Sequence, residues 1–221
     1  MLLLVTDTSG KNGSVGLVRA ESGEIKVIES VPLAGGTFSA QLVPQISMLL
    51  EKHGFRKSDI GGFVVVSGPG SFTGLRVGLA AIKALAEILG RPIVPVSLLE
   101  VIAANSGASG KVIAALDAGR TEVYAGEYDL KPKNPMLCSE KLLPINDFVS
   151  LAREAAVATP DAGLAEALRS GGVAAVSVEY PKAEWIAQLG WQRLQAGQTV
   201  TPEQLEANYI RRSDAEIFTR K

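Results

Sequence analysis

The chain has 221 residues, 47% of them hydrophobic and 20% charged, with 22 basic side chains against 23 acidic ones. That length suits one large domain or two small ones with a substantial core, and the composition excludes wholesale disorder. A net charge of -1 excludes a long-range field that would hold RNA or an anionic membrane on this chain alone, so a partner must supply most contacts to any nucleic acid.

Leu2 to Thr6 is a continuous apolar run, the pattern of a strand buried on both faces. Asp7 follows at once, which makes the run too short for a signal peptide or a membrane span. The turn-rich segment Asp7 to Gly13 leads into strands at Ser14–Arg19 and Ile25–Val31. A three-strand meander at the start is not how a doubly wound nucleotide fold begins. A helix follows, with Leu42, Val43, Ile46, Leu49 and Leu50 on one face, Ser39 as its expected N-cap and Gly54 beyond its end. Pro44 sits awkwardly just past its first turn. Phe63–Ser67 reads as a strand, Gly74–Leu89 as a second helix and Ile93–Val96 as a fifth strand.

Asn105 to Gly110 reads as a hinge, after which Val112–Leu116, a turn at Asp117–Arg120 and Val123–Tyr128 repeat the opening. The echo predicts a duplicated fold with a short second half: an N-terminal lobe over 1–106 completed by 196–221, and a degenerate lobe over 107–195. Lys131 to Pro135 reads as loop, and Lys182–Gln195 as a last helix.

Arg76, Lys83 and Glu87 form one narrow polar stripe on the second helix, while Leu75, Leu79 and Ile82 cover a broad face and Gly78 lies on a flatter one. Such a helix is covered from two directions. The cover is the first helix or a partner, and periodicity leaves both open.

Gly68-Pro-Gly-Ser-Phe-Thr-Gly74 invites a phosphate-loop reading, but it lacks the P-loop lysine and the dinucleotide spacing. A tight strand-to-helix turn capped by Ser71 or Thr73 fits better. Asp7 and Asp117 each end a buried strand, where a carboxylate holds a hydrated metal or simply closes a turn; the turn is favoured. His53, the only histidine, suits a helix C-terminus, and with only Cys138 beside it in the count a His/Cys zinc site is nearly excluded. The lone cysteine forbids an internal disulfide and predicts a reducing, cytoplasmic setting. Trp185 and Leu189 read as core, and Arg211 with Arg212 as a solvated pair or a partner contact.

The run Ser67-Gly-Pro-Gly-Ser-Phe-Thr-Gly-Leu-Arg-Val-Gly-Leu79 resembles the signature of the TsaB family of tRNA threonylcarbamoyladenosine biosynthesis proteins. Val5–Ser9, Val96–Glu100, Ala115–Ala125 and Asn208–Arg211 agree with it in order. The resemblance implies an α/β fold of the actin/Hsp70/sugar-kinase (ASKHA) type with two related lobes, the second reduced. It implies a non-catalytic partner of the paralogue TsaD, which transfers threonylcarbamoyl to the adenosine beside the anticodon, with the ATPase TsaE assisting and tRNA met indirectly. It also implies pairing through the first two helices, with Ile46, Leu49, Leu50, Leu75, Gly78, Leu79 and Ile82 as candidates for the paired surface or its support. A homodimer is expected when TsaD is absent. No cofactor is expected beyond weak nucleotide binding in a vestigial cleft of Asp7, Ser9, Gly68, Gly70 and Asp117.

Two departures stand out. Phe38-Ser39-Ala40 replaces the family's His-Ser-Glu, and Asp117-Ala-Gly-Arg120 replaces Asp-Ala-Arg-Arg. Two rival functions remain: an ATP-dependent enzyme using Asp7, Asp117 and the 68–74 loop, and a peptidase, which lacks a histidine pair and a nucleophile elbow.

Overall fold

The computed structural model describes residues 1–21, 23–131, 134–153 and 155–211; Arg212 lies outside them. In chain order the elements are strands Leu2–Asp7 (β1), Asn12–Glu21 (β2) and Glu24–Ala34 (β3), helix Phe38–Lys52 (α1), strand Ile60–Gly68 (β4), helix Phe72–Leu89 (α2), strand Ile93–Ser97 (β5) and helix Leu98–Ala104 (α3). The set then repeats as Gly110–Gly119 (β6), Glu122–Lys131 (β7), Asn134–Pro144 (β8), Ile145–Ala152 (α4), Ala156–Thr159 (β9), Ala162–Ser170 (α5), Ala175–Ser177 (β10) and Ala183–Gln195 (α6).

Two five-stranded sheets result, ordered β3-β2-β1-β4-β5 and β8-β7-β6-β9-β10. In each, the first strand is antiparallel to the second and parallel to the fourth. The duplication expected from the echo is therefore complete in strands. The second lobe is reduced in helix length instead: α4 and α5 have 8 and 9 residues against 15 and 18 in α1 and α2.

β1 is buried along its whole length because its sheet is covered on both faces. Leu2, Leu4, Phe63 and Val65 pack under α1 and α2 in one apolar cluster with Leu42, Ile46, Leu79 and Ile82. On the opposite face α6 comes so close that a Cβ on Gly190 would stand 2.4 Å from Val64. The second lobe repeats this, with Phe148 of α4 and Leu164 and Leu168 of α5 over Ile113, Val123 and Val157, and Leu99 of α3 against Gly126.

The lobe boundaries differ from the sequence reading. The first compact unit is Met1–Ser97 with Lys182–Asn208; the second is Leu98–Pro181 and takes in residues 209–211 of the tail. The expected boundaries put α3 in the first lobe and α6 in the second, but each helix packs on the other lobe's sheet. An amphipathic helix goes where its apolar face finds cover, and chain order does not decide that. Of the tail expected to complete the first lobe, residues 196–208 pack there, with Val200 bridging to Ile93 and Leu205 buried. Among the described residues no helix is long and apolar enough to cross a membrane.

Candidate functional site

At the end of β1 the chain turns inside the first lobe. Asp7 is 2% exposed, and its Oδ1 accepts from the Ser9 amide at 2.8 Å and from the Ser9 hydroxyl at 2.6 Å. The β4–α2 loop closes over this turn, with the Ser71 amide donating to the Ser9 carbonyl at 2.7 Å. A Cβ on Gly70 would lie 2.2 Å from the Ser9 carbonyl oxygen, one on Gly74 2.2 Å from that of Thr8, and one on Gly78 2.2 Å from the Thr8 hydroxyl. Gly70 and Gly74 thus permit backbone-to-backbone contact within the lobe, and Gly78 admits the Thr8 side chain. Ser71, rather than Thr73, caps α2 by accepting from the Gly74 amide at 3.2 Å, and Gly90 ends it at φ 60°. Gly68, at φ 135°, packs against Asn208, whose amide donates to the Ser67 carbonyl at 2.7 Å. Asp7, Ser9, Gly68 and Gly70 are therefore brought together as a closed structural junction.

Asp117 occupies the equivalent turn of the second lobe, but it is exposed. Its Oδ1 accepts from the Gly119 amide and its own amide donates to Asp161 Oδ2 at 2.6 Å. Among the described residues no group of three or more His, Cys, Asp or Glu is placed to hold a metal.

The seven residues expected at the paired surface all point inward. Ile46, Leu49, Leu50, Leu75, Leu79 and Ile82 are each 5% exposed or less, and Gly78 is buried against Thr8. Of the two roles expected for them, paired surface or its support, burial excludes the first. The sheet-facing stripe of a helix and its solvent-facing stripe are both apolar here, and periodicity singled out the stripe with the larger side chains. What α1 and α2 show to solvent is a second apolar set, with Val43 50%, Met48 60%, Phe72 37% and Ile88 80% exposed, and Ala80 and Ala84 exposed between them. Arg76 stacks over the Phe72 ring at 3.8 Å on the same face.

With this geometry, the relatives become informative. The family model described as TsaD: tRNA N6-adenosine threonylcarbamoyltransferase matches residues 32–192. A Bacillus subtilis protein named tRNA threonylcarbamoyladenosine biosynthesis protein TsaB is 34% identical over 59% of this chain and 56% of that protein. An Escherichia coli protein of the same name is 28% identical over 79% of this chain and 81% of its own length. A Pseudomonas aeruginosa crystal structure, described as an uncharacterized protein with similarity to peptidase YEAZ, superposes with a TM-score of 0.76 at 30% identity, covering 95% of this chain and 99% of the other. The chain belongs to the TsaB family. The aligned stretch spans about half the length of the Bacillus relative.

In this TsaB-family chain the signature run is the β4–α2 junction itself, and its glycines are explained by the approach to Thr8 and Ser9. Phe38, where relatives are expected to carry His, is 5% exposed and packs on Gly13 and Gly74. It begins α1, so the helix starts before the expected Ser39 cap; Thr37 holds the N-cap position, its hydroxyl donating to the Ala34 carbonyl. His53 does lie at the end of α1, with Nε2 2.6 Å from Glu29 on β3. The Lys52 ammonium, foremost, and His53 hold the Glu29 carboxyl below its ordinary range. Leu189 is core and Trp185 half-buried. Arg211, read as part of a solvated pair or as a partner contact, bonds Glu122 of its own chain at 2.5 Å near Tyr124, whose hydroxyl is pushed up by burial. The exposed face of Met48, Ala80, Ala84 and Ile88 was missed. The signal for it was an apolar excess opposite the core stripe.

Proposed function

We propose that this chain is a non-catalytic accessory subunit in threonylcarbamoyladenosine formation on tRNA, docking the solvent-facing side of α1 and α2 on a TsaD paralogue. The observation that carries the reading is the exposed apolar set Val43, Met48, Phe72 and Ile88 around Ala80 and Ala84, in a family whose named relatives are biosynthesis proteins for that modification. Exposed apolar patches bordered by charge mark protein-binding surfaces, and small residues at the centre admit a close helix. The accessory role is supported by the junction at Asp7. Its carboxylate is engaged by Ser9, and the glycine loop is closed by the lobe's own backbone, where a nucleotide-binding relative would need room for phosphate. TsaE and tRNA enter this proposal only through the complex, and a homodimer is the alternative state of the same surface.

Size-exclusion chromatography with light scattering, on this protein alone and mixed with its cognate TsaD, tests the reading. A one-to-one complex is expected, together with modification activity that requires both proteins. Met48→Glu and Ile88→Glu are each expected to weaken the complex by about tenfold or more while leaving the melting temperature unchanged, since both side chains are exposed. Failure to form a complex at micromolar concentration would sink the proposal. Submillimolar MgATP binding abolished by Asp7→Ala would replace it with the nucleotide-dependent enzyme.

A further inference from the structure

Beyond α6, Thr201-Pro-Glu-Gln204 carries the residues of a reciprocal helix cap: a Thr at the N-cap, Pro at the first helical position and Gln three residues after the Thr. The structure closes it. The Thr201 hydroxyl accepts from the Gln204 amide at 3.4 Å, and Gln204 Oε1 accepts from the Thr201 amide at 3.1 Å. The Leu205 amide donates to the Thr201 carbonyl at 3.1 Å, which completes one turn. That turn aims Leu205 inward, where it is 1% exposed. Leu205 joins the apolar cluster under α1 and α2 that holds Leu79, Ile82 and Ala86, with Val200 and Ala207 packed beside it.

The turn is tied down at both ends. The Val200 amide donates to the Ile93 carbonyl of β5 at 2.9 Å, and the Asn208 amide donates to the Ser67 carbonyl at 2.7 Å. Ser67 and Gly68 open the loop that starts α2, and a Cβ on Gly68 would stand 2.7 Å from the Asn208 carbonyl oxygen. Gly70 and Gly74 face the turn after β1 while Gly68 faces the tail, so the loop into α2 is held from two sides. Between the ties, the Glu203 carboxyl is kept below its ordinary range first by the Thr201 hydroxyl, then by its own amide, with Lys83 of α2 adding to this. Residues 200–208 thus run beside α2 from its middle to its start. Phe72, the first residue of α2, lies four positions after Gly68 and carries the stacked Arg76 on the docking face.

We propose that residues 200–208 are a positioning strap for α2, in which Leu205 and Asn208 fix where Phe72 and Arg76 stand and so set the strength of docking through the helix. This rests on the reading of the α1–α2 face as the docking surface, and adds the segment that holds one end of that face in place. A face held in its bound arrangement loses less freedom on binding, so loosening the strap weakens docking without removing a contact to the partner.

The test loosens the strap at two points in the full chain. Asn208→Pro removes the amide that reaches Ser67, and Leu205→Ala empties its buried anchor. Leu168→Ala, a fully buried change in the second lobe, serves as the control for lost stability. Calorimetric titration with TsaD is expected to show each strap variant bound about tenfold more weakly, and the control within about threefold of the wild type. Coupling supplies a readout that general destabilisation would not move. Phe72→Ala is expected to weaken docking about tenfold in the wild type but less than about threefold beside Asn208→Pro, whereas Met48→Ala on α1 costs the same in both. Hydrogen exchange on the free protein reports without the paralogue: the Gly74 and Leu75 amides are expected to exchange about tenfold faster in both strap variants than in the wild type. Unchanged exchange there overturns the proposal, as do strap variants that dock normally, a control that loses as much affinity, or additive effects of Phe72 and Asn208. A wild type that forms no complex sinks the proposed function, and the exchange comparison then still decides whether the strap positions α2.

Discussion

The two lobes share one strand order and close the same junction by different means. In the first, the turn after β1 and the start of α2 meet backbone to backbone at Gly70 and Gly74, with Gly78 against the Thr8 side chain and Asp7 buried. In the second, the turn after β6 reaches the start of α5 through a side chain, Asp161, which accepts from the Asp117 amide. A Cβ on Gly163 would meet nothing within 4 Å, and a hollow of about 410 Å³ lined by Asp117, Glu122, Ile145, Asp161 and Leu164 is left. One topology therefore tolerates a tight, glycine-dependent seal in one copy and a loose, carboxylate-held one in the other. Only the tight copy carries the signature run, whose Gly70, Gly74 and Gly78 leave no room for a Cβ.

The largest expected effect breaks the tight seal. Gly74→Ala drives a methyl group to 2.2 Å from the Thr8 carbonyl oxygen, and overpacking against backbone costs about 3 kcal/mol. Urea denaturation should show it, and a loss below 1 kcal/mol would mean the junction is pliable. Gly78→Leu belongs to the same class, so weakened pairing in that variant would report a damaged fold and not a lost contact. Next comes the cap. Ser71→Ala removes the acceptor of the Gly74 amide and should cost about 1 kcal/mol by the same measurement. In the loose copy the sign reverses, and Gly163→Ala should stabilise by about 0.5–1 kcal/mol, because a helical position with open space gains from losing glycine. Equal losses at Gly74 and Gly163 would erase the distinction between the lobes.

The smallest effect concerns pH. The Glu29 carboxyl is held below its ordinary range by Lys52 and His53, so its contribution is present above the ordinary carboxylate range and is lost as pH falls through the lowered value. Glu29→Gln should flatten the acid side of a plot of melting temperature against pH and leave the neutral side nearly unchanged. Superimposable acid limbs for the two proteins would show that the clasp between β3 and α1 adds nothing.

Much of the first lobe was legible because its central strands β1 and β4 are covered on both faces and carry continuous apolar runs, and its two helices are long enough to show their period. In the second lobe β9 and β10 have 4 and 3 residues, too few for any period to appear. The edge strand β8 runs through a segment read in part as loop, since it exposes Met136 and Leu137 and so lacks clean alternation. α3 was missed because Leu98 to Ala103 is buried all round, and a short helix with no polar face is indistinguishable from a strand.

By itself the sequence determined the family, the β-β-β-α-β-α-β order of the first lobe, the strand–turn–strand echo that opens the second, and the turn chemistry at Asp7 and Ser71, since these depend on residue type at fixed local spacing. Tertiary structure alone decided which lobe receives α3 and α6, that the seven candidate interface residues face the sheet, and that Met48 and Ile88 face solvent. The physical reason is common to all three. A helix with apolar residues on two sides states that it is covered twice, but which side meets its own sheet depends on the packed partner, and that partner is set by contacts distant in the chain.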